Sequence, residues 1–190
     1  LHFTEPPRAF YRRETVAVAR DLVGMWIARR WRGGWFGARI VETEAYLGSR
    51  DAAAHSRRGR RTPRVEPMYR DGGHLYVFLV YGMYHCANVV TRRAGEAEAV
   101  LLRAAEESEG CAKRLLSGPG KLCSALNITT AASGLDLLGC GPIRIFRPRR
   151  RRVRIGVSPR IGVDYAGSAA NWPLRFFDRD SPAVSVRIRR

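Results

Sequence analysis

The chain has 190 residues and carries 34 Lys and Arg against 17 Asp and Glu, a formal charge of +17. Its 45% hydrophobic and 9% aromatic content is globular and excludes collagen-like, disordered and coiled-coil chains. No apolar run approaches the ~20 residues that cross a bilayer, so no membrane contact is expected.

The charge implies a polyanionic partner, most simply nucleic acid. Nearly all the cations are Arg, with Lys only at Lys113 and Lys121, and the planar Arg fork suits phosphate. The opening Leu1-His2-Phe3-Thr4-Glu5-Pro6-Pro7 has neither the basic nor the apolar region of a signal peptide. Cys86, Cys111, Cys123 and Cys140 form no Cys-x-x-Cys, and the histidines fall at no zinc spacing. A cytoplasmic, reduced protein without metal or cofactor is expected.

In chain order, residues 1–13 read as an extended arm set by Pro6-Pro7. Residues 14–24 read as a helix with Val16, Ala19, Leu22 and Val23 on one side and Gly24 at its end. Met25 to Arg30 is a strand, Gly33-Gly34 a turn, and Trp35 to Leu47 the returning strand of a hairpin. Within that return, period two puts Glu42, Glu44 and Tyr46 on one face and Val41, Thr43, Ala45 and Leu47 on the other. Two carboxylates and a phenol are an odd choice for a core strand.

Residues 48–74 form a long polar segment with five arginines in eight residues (Arg57, Arg58, Arg60, Arg61, Arg64), read as a loop facing nucleic acid. A second hairpin follows: Leu75 to Val80, a break at Tyr81-Gly82, and Tyr84 to Val90. Tyr81 and Met83 then stand at an exposed tip. They read either as a wedge between base steps or as ordinary capping of the sheet end.

Val100 to Arg103 is a strand, and residues 105–117 are expected to be helical. Ser117-Gly118-Pro119-Gly120-Lys121 leads into a helix from Leu122 to Leu126, whose first amides could meet a phosphate. It is not a Walker A loop, because Leu122 stands where that motif needs Ser or Thr. Ile143 to Phe146 and Val153 to Val157 are strands around a basic turn, Arg147-Pro148-Arg149-Arg150-Arg151-Arg152. This turn is either a phosphate contact or a solvated loop. Arg160 to Gly167 is a loop, and the chain ends on a strand from Ala183 to Ile188. Strands outnumber helices, and most connections are too short for parallel crossovers. The expected fold is a single α+β domain over residues 1–190, a mainly antiparallel sheet with flanking helices.

The chain resembles the alkyladenine (3-methyladenine) DNA glycosylase family from about Phe10 to Val186. The carriers are Arg39-Ile40-Val41-Glu42-Thr43-Glu44-Ala45-Tyr46-Leu47-Gly48, Ala53-Ala54-His55-Ser56, Thr62-Pro63-Arg64, Tyr81-Gly82-Met83-Tyr84 with Asn88, Leu101-Leu102-Arg103, and Ser117-Gly118-Pro119-Gly120-Lys121-Leu122-Cys123. The resemblance implies a curved antiparallel sheet and a catalytic site of Glu44, which activates water, and Arg103, which helps hold it. It implies a base pocket of Tyr46, Ala53, His55, Phe78 and Asn88, the last screening out bases with a 2-amino group. It implies a wedge of Tyr81 with Met83, and backbone contacts from Arg60, Thr62, Arg64, Tyr84, Gly118 and Lys121. A backbone carbonyl near Val163 is expected beside the water. Phe78 stands where mammalian relatives carry Tyr.

These residue types fit the chemistry. A base must leave the helix to be cut from it, a flat Tyr fills the hole, and aromatic walls receive the base. A cationic alkylpurine stacks well and leaves readily; Glu44 can stabilise an oxocarbenium-like sugar while taking a proton from water. The expected partner is duplex DNA with damaged purines, approached from the minor groove by a monomer. The competing class is a non-catalytic minor-groove DNA-binding protein, which would use the same arginines and Tyr81 but would not need Glu44.

Overall fold

The computed structural model of the chain describes residues 3–31, 34–107, 115–150 and 152–186. Strand β3 (Gly34–Tyr46) is the axis of its sheet. The first half of β3 pairs with β2 (Trp26–Trp31), Trp26 opposite Arg39 and Trp31 opposite Gly34. The second half pairs with β10 (Arg175–Asp178), Arg175 opposite Glu44 and Phe177 opposite Glu42. Along the other edge runs β6 (Glu98–Glu107), from Glu107 opposite Ala38 to Ala99 opposite Tyr46.

The remaining strands extend this frame. The sheet order is β1 (Phe3–Thr4), β8 (Ile143–Pro148), β2, β3, β6, β5 (Tyr84–Thr91), β4 (Leu75–Val80). Off that path, β7 (Leu115–Ser117) pairs with β6 and β9 (Ile155–Ser158) with β10. Every pairing is antiparallel. The fold is therefore α+β and mainly antiparallel, as the short connections predict.

Three helices flank the sheet: α1 (Arg8–Tyr11), α2 (Thr15–Leu22) and α3 (Pro119–Ala125). Helix α2 buries Thr15, Val18, Ala19 and Leu22, a stripe of helical period. Val16, expected on that stripe, is exposed. Gly24, with φ 90, lets the chain turn into β2. The Thr43 hydroxyl donates to the Ala19 carbonyl at 2.8 Å and ties α2 to β3. The core between sheet and helices includes Leu22, Ile27, Ile40, Ala45, Leu102 and Leu122.

Four further sequence expectations change. Residues 1–13 are not a plain extended arm: β1 pairs with β8, and α1 buries Phe10 and Tyr11. Val41 does not share a face with Thr43, Ala45 and Leu47. The β3–β6 register shifts around Glu42, a bulge that inserts one residue and breaks the alternation. Val41 packs instead with Ala104 and Ala183. Residues 105–117 are not a helix where they are described, because β6 continues to Glu107 and β7 spans Leu115–Ser117. Backbone pairing with β3 overrides the local helical propensity there. Residues 183–186 form no strand: Ala183 closes a turn, and a bend follows at Ser185 and Val186. The rest of that expected strand, with Gly33, Cys111 and Arg151, lies outside the described residues.

The β4–β5 hairpin turns with positive φ at both Tyr81 (51) and Gly82 (69), closed by the Met83 amide on the Val80 carbonyl at 3.0 Å. Such turns favour Asn-Gly. A bulky aromatic with positive φ is strained, and such strain collects at functional positions. Tyr81 is 86% exposed, so little packing offsets the strain. Tyr81→Asn is expected to raise stability by about 0.5–1 kcal/mol. Urea unfolding midpoints check this, and a lower midpoint for the variant would remove the case for strain.

Candidate active site

On β3, Glu42 and Glu44 are both 0% exposed. Glu42 is held on all sides. Arg175 Nε donates to its Oε1 at 2.6 Å, the Ser185 amide to its Oε2 at 2.6 Å, and the Ser185 hydroxyl to its Oε1 at 3.0 Å. Arg103 Nε lies 3.3 Å from the same Oε1. Glu42 thus pairs with two arginines.

Glu44 is held more loosely. The Ile161 amide donates to its Oε1 at 2.9 Å and the Tyr46 hydroxyl to its Oε2 at 3.0 Å. Arg103 Nη1 is 3.5 Å from Oε1. Desolvation raises the Glu44 carboxyl above its ordinary pKa. Arg103, the Ile161 amide and the Tyr46 hydroxyl oppose that shift, and Glu42 adds to it. A carboxylate tuned upward is a better base near neutral pH.

Tyr46, Arg103 and Ile161 line one wall of a cleft of about 510 Å³, so Glu44 lies one layer behind that wall. His55, Tyr76 and Phe78 line the same cleft. The His55 and Phe78 rings are 4.4 Å apart at 73°, and His55 Nδ1 shares a 2.7 Å hydrogen bond with the Tyr76 hydroxyl. Burial, and then Arg64, Arg57 and Arg60, lower the His55 pKa to about 4, so the ring is neutral at pH 7. Asn88 is buried, its amide nitrogen donating to the Tyr76 and Cys86 carbonyls at 3.1 and 3.3 Å. Ala53 and Val163 also line the cleft. The Val163 carbonyl accepts the Ala166 amide, and the group that this loop gives Glu44 is the Ile161 amide.

Of the other sequence candidates, the structure brings Tyr81 and Arg64 to the cleft and sets the rest outside its lining. Arg64 donates to the Leu79 carbonyl at 3.1 Å and holds its guanidinium 5.6 Å from the Phe78 ring. Met83 and Tyr84 are 67% and 54% exposed beside Tyr81. Gly118 caps α3, and a Cβ on Gly120 would lie 2.9 Å from the Tyr84 ring, so the start of that helix packs against the hairpin. Lys121 shares a separate groove with Met83 and Tyr84. Thr62 accepts the Val65 and Glu66 amides through its carbonyl, and Arg60 is exposed nearby. Among the described residues, Arg57, Arg58, Arg60 and Arg64 have no carboxylate at ion-pair distance, whereas Arg61 pairs with Glu66 at 2.6 Å.

Several site residues escaped the sequence reading. Tyr76 shares a face with Phe78 by simple alternation and could have been found that way. Tyr165, 68% exposed, lines the cleft and donates its hydroxyl to the Ala53 carbonyl at 3.4 Å. Arg160 and Asp51 form a fully buried pair at 2.5 and 2.9 Å. Asp51 also accepts the Leu47 and Ala53 amides, while Arg160 donates to the Ala45 and Ala169 carbonyls and lies 4.7 Å from the Tyr46 ring. No spacing links residues so far apart in sequence.

The site is thus a desolvated carboxylate behind an aromatic cleft on an antiparallel α+β sheet, with Arg64 on the lining and other exposed arginines on the adjoining segment, a constellation suited to an anionic partner. Comparison with known proteins makes this specific. A sequence model of the family described as "Methylpurine-DNA glycosylase (MPG)" matches residues 9–182. A protein of Desulfitobacterium hafniense named "Putative 3-methyladenine DNA glycosylase" is 44% identical over 95% of this chain and 98% of its own. Proteins with the same name from Methanocella arvoryzae and Bdellovibrio bacteriovorus are 45% and 46% identical, each over 95% of this chain. The chain belongs to the methylpurine-DNA glycosylase family, and DNA is the partner that this family implies.

The buried Asp51–Arg160 pair fixes the loops that carry Ala53, His55 and Ile161. Removing one partner leaves an uncompensated buried charge. Asp51→Ala is expected to cost about 3–5 kcal/mol of stability, read by urea or thermal unfolding. A cost under about 1 kcal/mol, the range of surface pairs, would overturn the assignment.

Proposed function

We propose that the protein excises alkylated or deaminated purines from duplex DNA, hydrolysing the N-glycosidic bond and leaving an abasic site. The substrates envisaged are 3-methyladenine, 7-methylguanine, hypoxanthine and ethenoadenine. The carrying observation is the position of Glu44: a buried carboxylate held by Tyr46, Ile161 and Arg103 at the back of an aromatic cleft. Tyr81 enters the stack from the minor groove as the damaged nucleotide swings out. The base passes between His55, Phe78 and Tyr46, and the fixed Asn88 amide disfavours a purine with a 2-amino group. As the C1′–N bond lengthens, Glu44 stabilises the sugar cation and takes a proton from the attacking water. Arg60, Thr62, Arg64, Tyr84, Gly118 and Lys121 meet the backbone. The protein works as a cytoplasmic monomer without cofactor.

The competing reading, a non-catalytic minor-groove binder, has no use for Glu44. A carboxylate near DNA weakens binding electrostatically. Base release from methylated duplex, and from duplexes holding hypoxanthine or ethenoadenine, separates the two. Glu44→Gln is expected to lose about 10²–10⁴-fold in release while keeping affinity. Absence of release by the wild type from every substrate would leave the binding protein.

Phe78 keeps a stacking face without a hydroxyl. Cationic lesions leave without help, whereas neutral ones need protonation or polar contacts. Phe78→Tyr is therefore expected to raise release of hypoxanthine relative to 3-methyladenine. An unchanged ratio in single-turnover assays would sink this role for the missing hydroxyl.

A further inference from the structure

The arginine run after β8 remains outside this site. In the sheet order, β8 and the wedge hairpin β4–β5 lie toward opposite ends. Five strand spacings separate β8 from β4, roughly 24 Å at ~4.8 Å per spacing. The turn's described residues are Arg149 and Arg150, which follow β8, and Arg152 to Arg154, which precede β9 at Ile155. It borders a groove of about 530 Å³ lined by Trp26, Arg39, Arg150, Arg152, Arg154 and Asp180, among others.

The acids here are already taken. Asp178 pairs with Arg39 at 2.8 Å, and Asp180 with Arg154 at 3.1 Å. The Arg179 amide donates to the Arg154 carbonyl at 2.9 Å, which fastens the far end of the turn to the end of β10. Arg149, Arg150 and Arg152 are exposed, and none has a carboxylate at ion-pair distance among the described residues. Like charges gathered on a tethered turn repel one another and need an anionic partner to offset that repulsion. Trp26 gives the groove a flat apolar wall, packed edge-on against Phe3 at 5.7 Å.

We propose that this turn and groove form a second, lesion-independent contact for duplex DNA, which holds a second DNA segment while the first occupies the wedge. The inference rests on DNA being the partner, and not on the chemistry assigned to Glu44. Duplex phosphates spaced at ~1.7 Å per charge can meet three closely spaced arginines together. A protein with two such surfaces passes directly from one segment to the next through a ternary complex.

The experiment uses a triple variant, Arg149→Ala with Arg150→Ala and Arg152→Ala. A control removes equal charge at Arg12, Arg13 and Arg70, which already bond to Asp71, Asp21 and the Gly134 carbonyl. Protein bound to a short labelled lesion hairpin is chased with rising concentrations of undamaged duplex. For wild type and control, the departure rate is expected to climb with chase concentration. For the triple variant it is expected to stay flat, and the salt slope of binding to long undamaged duplex to fall by about 2–3. Base release from the short lesion hairpin should be unchanged, so failure of the excision reading and failure of this one are told apart. A flat wild-type chase overturns the proposal. So does a triple variant that climbs like wild type, or a control that flattens equally. Full DNA transfer by the triple variant with lost binding to phosphatidylglycerol vesicles would assign the turn to a membrane surface and also overturn it.

Discussion

Two carboxylates, two residues apart on one strand face and both shielded from water, have to be reconciled with burial. Burying an ion costs several kcal/mol even after relaxation, and two like charges on one face add repulsion. The sheet answers with cations. Strand β10 runs along the second half of β3 and delivers Arg175, only 2% exposed, to Glu42. The segment after β10 folds back so that Ser185 can donate twice to the same carboxylate. Arg103 reaches Glu42 at 3.3 Å and Glu44 at 3.5 Å and is shared between them. Compensation is therefore unequal. Glu42 is saturated with donors and anchors the C-terminal part of the chain. Glu44 receives two hydrogen bonds and part of one cation, and its pKa is raised. On the proposed reading, that inequality, more than the presence of two acids, sets Glu44 apart as the group for proton transfer.

The second buried pair, Asp51 with Arg160, carries this arrangement outward. Asp51 fixes the turn after β3 through the Leu47 and Ala53 amides, which sets Ala53 and His55 on the cleft wall. Arg160 fixes the loop after β9, whose next residue gives its amide to Glu44. The cleft is thus assembled from segments distant in sequence, joined by two ionic clusters rather than by one local motif. The arginines left unpaired gather on the polar segment at the rim. They raise the local positive potential and, together with burial, keep His55 neutral.

The sequence made some of this legible and hid the rest, for physical reasons. Alternation along 40–47 put Glu42, Glu44 and Tyr46 on one face, and the structure agrees because the extra residue on β3 lies between Ile40 and Glu42, while the second shift adds its residue to β6. The same alternation misplaced Val41, since a bulge has no signature in residue type at that point. The hairpin tip at Tyr81-Gly82 was legible from its glycine, but the positive φ of Tyr81 was not. The helix expected over 105–117 failed because pairing with β3 fixes Ala104, Ala105 and Glu106 as strand. Arg103 was assigned through the resemblance, whereas Arg160, Arg175 and Tyr165 went unnoticed. Their roles depend on which acid or carbonyl a fold brings near, and a chain with so many arginines offers no local cue to choose among them.

The nucleophiles available to the cleft also bear on the class of reaction. A glycosylase that also cuts the strand attacks C1′ with an amine and passes through a Schiff base. Lys121 is the only lysine among the described residues, and it lies in a different groove, outside the cleft. The Cys86 thiol does line the cleft, but burial pushes its pKa up to about 11, which leaves it protonated and unreactive at pH 7. On the proposed reading the attack comes from water activated by Glu44, with Arg103 and the Ile161 amide holding that carboxylate and Tyr46 fixing its other oxygen. On the proposed reading, hydrolysis without strand cleavage follows from what the cleft holds.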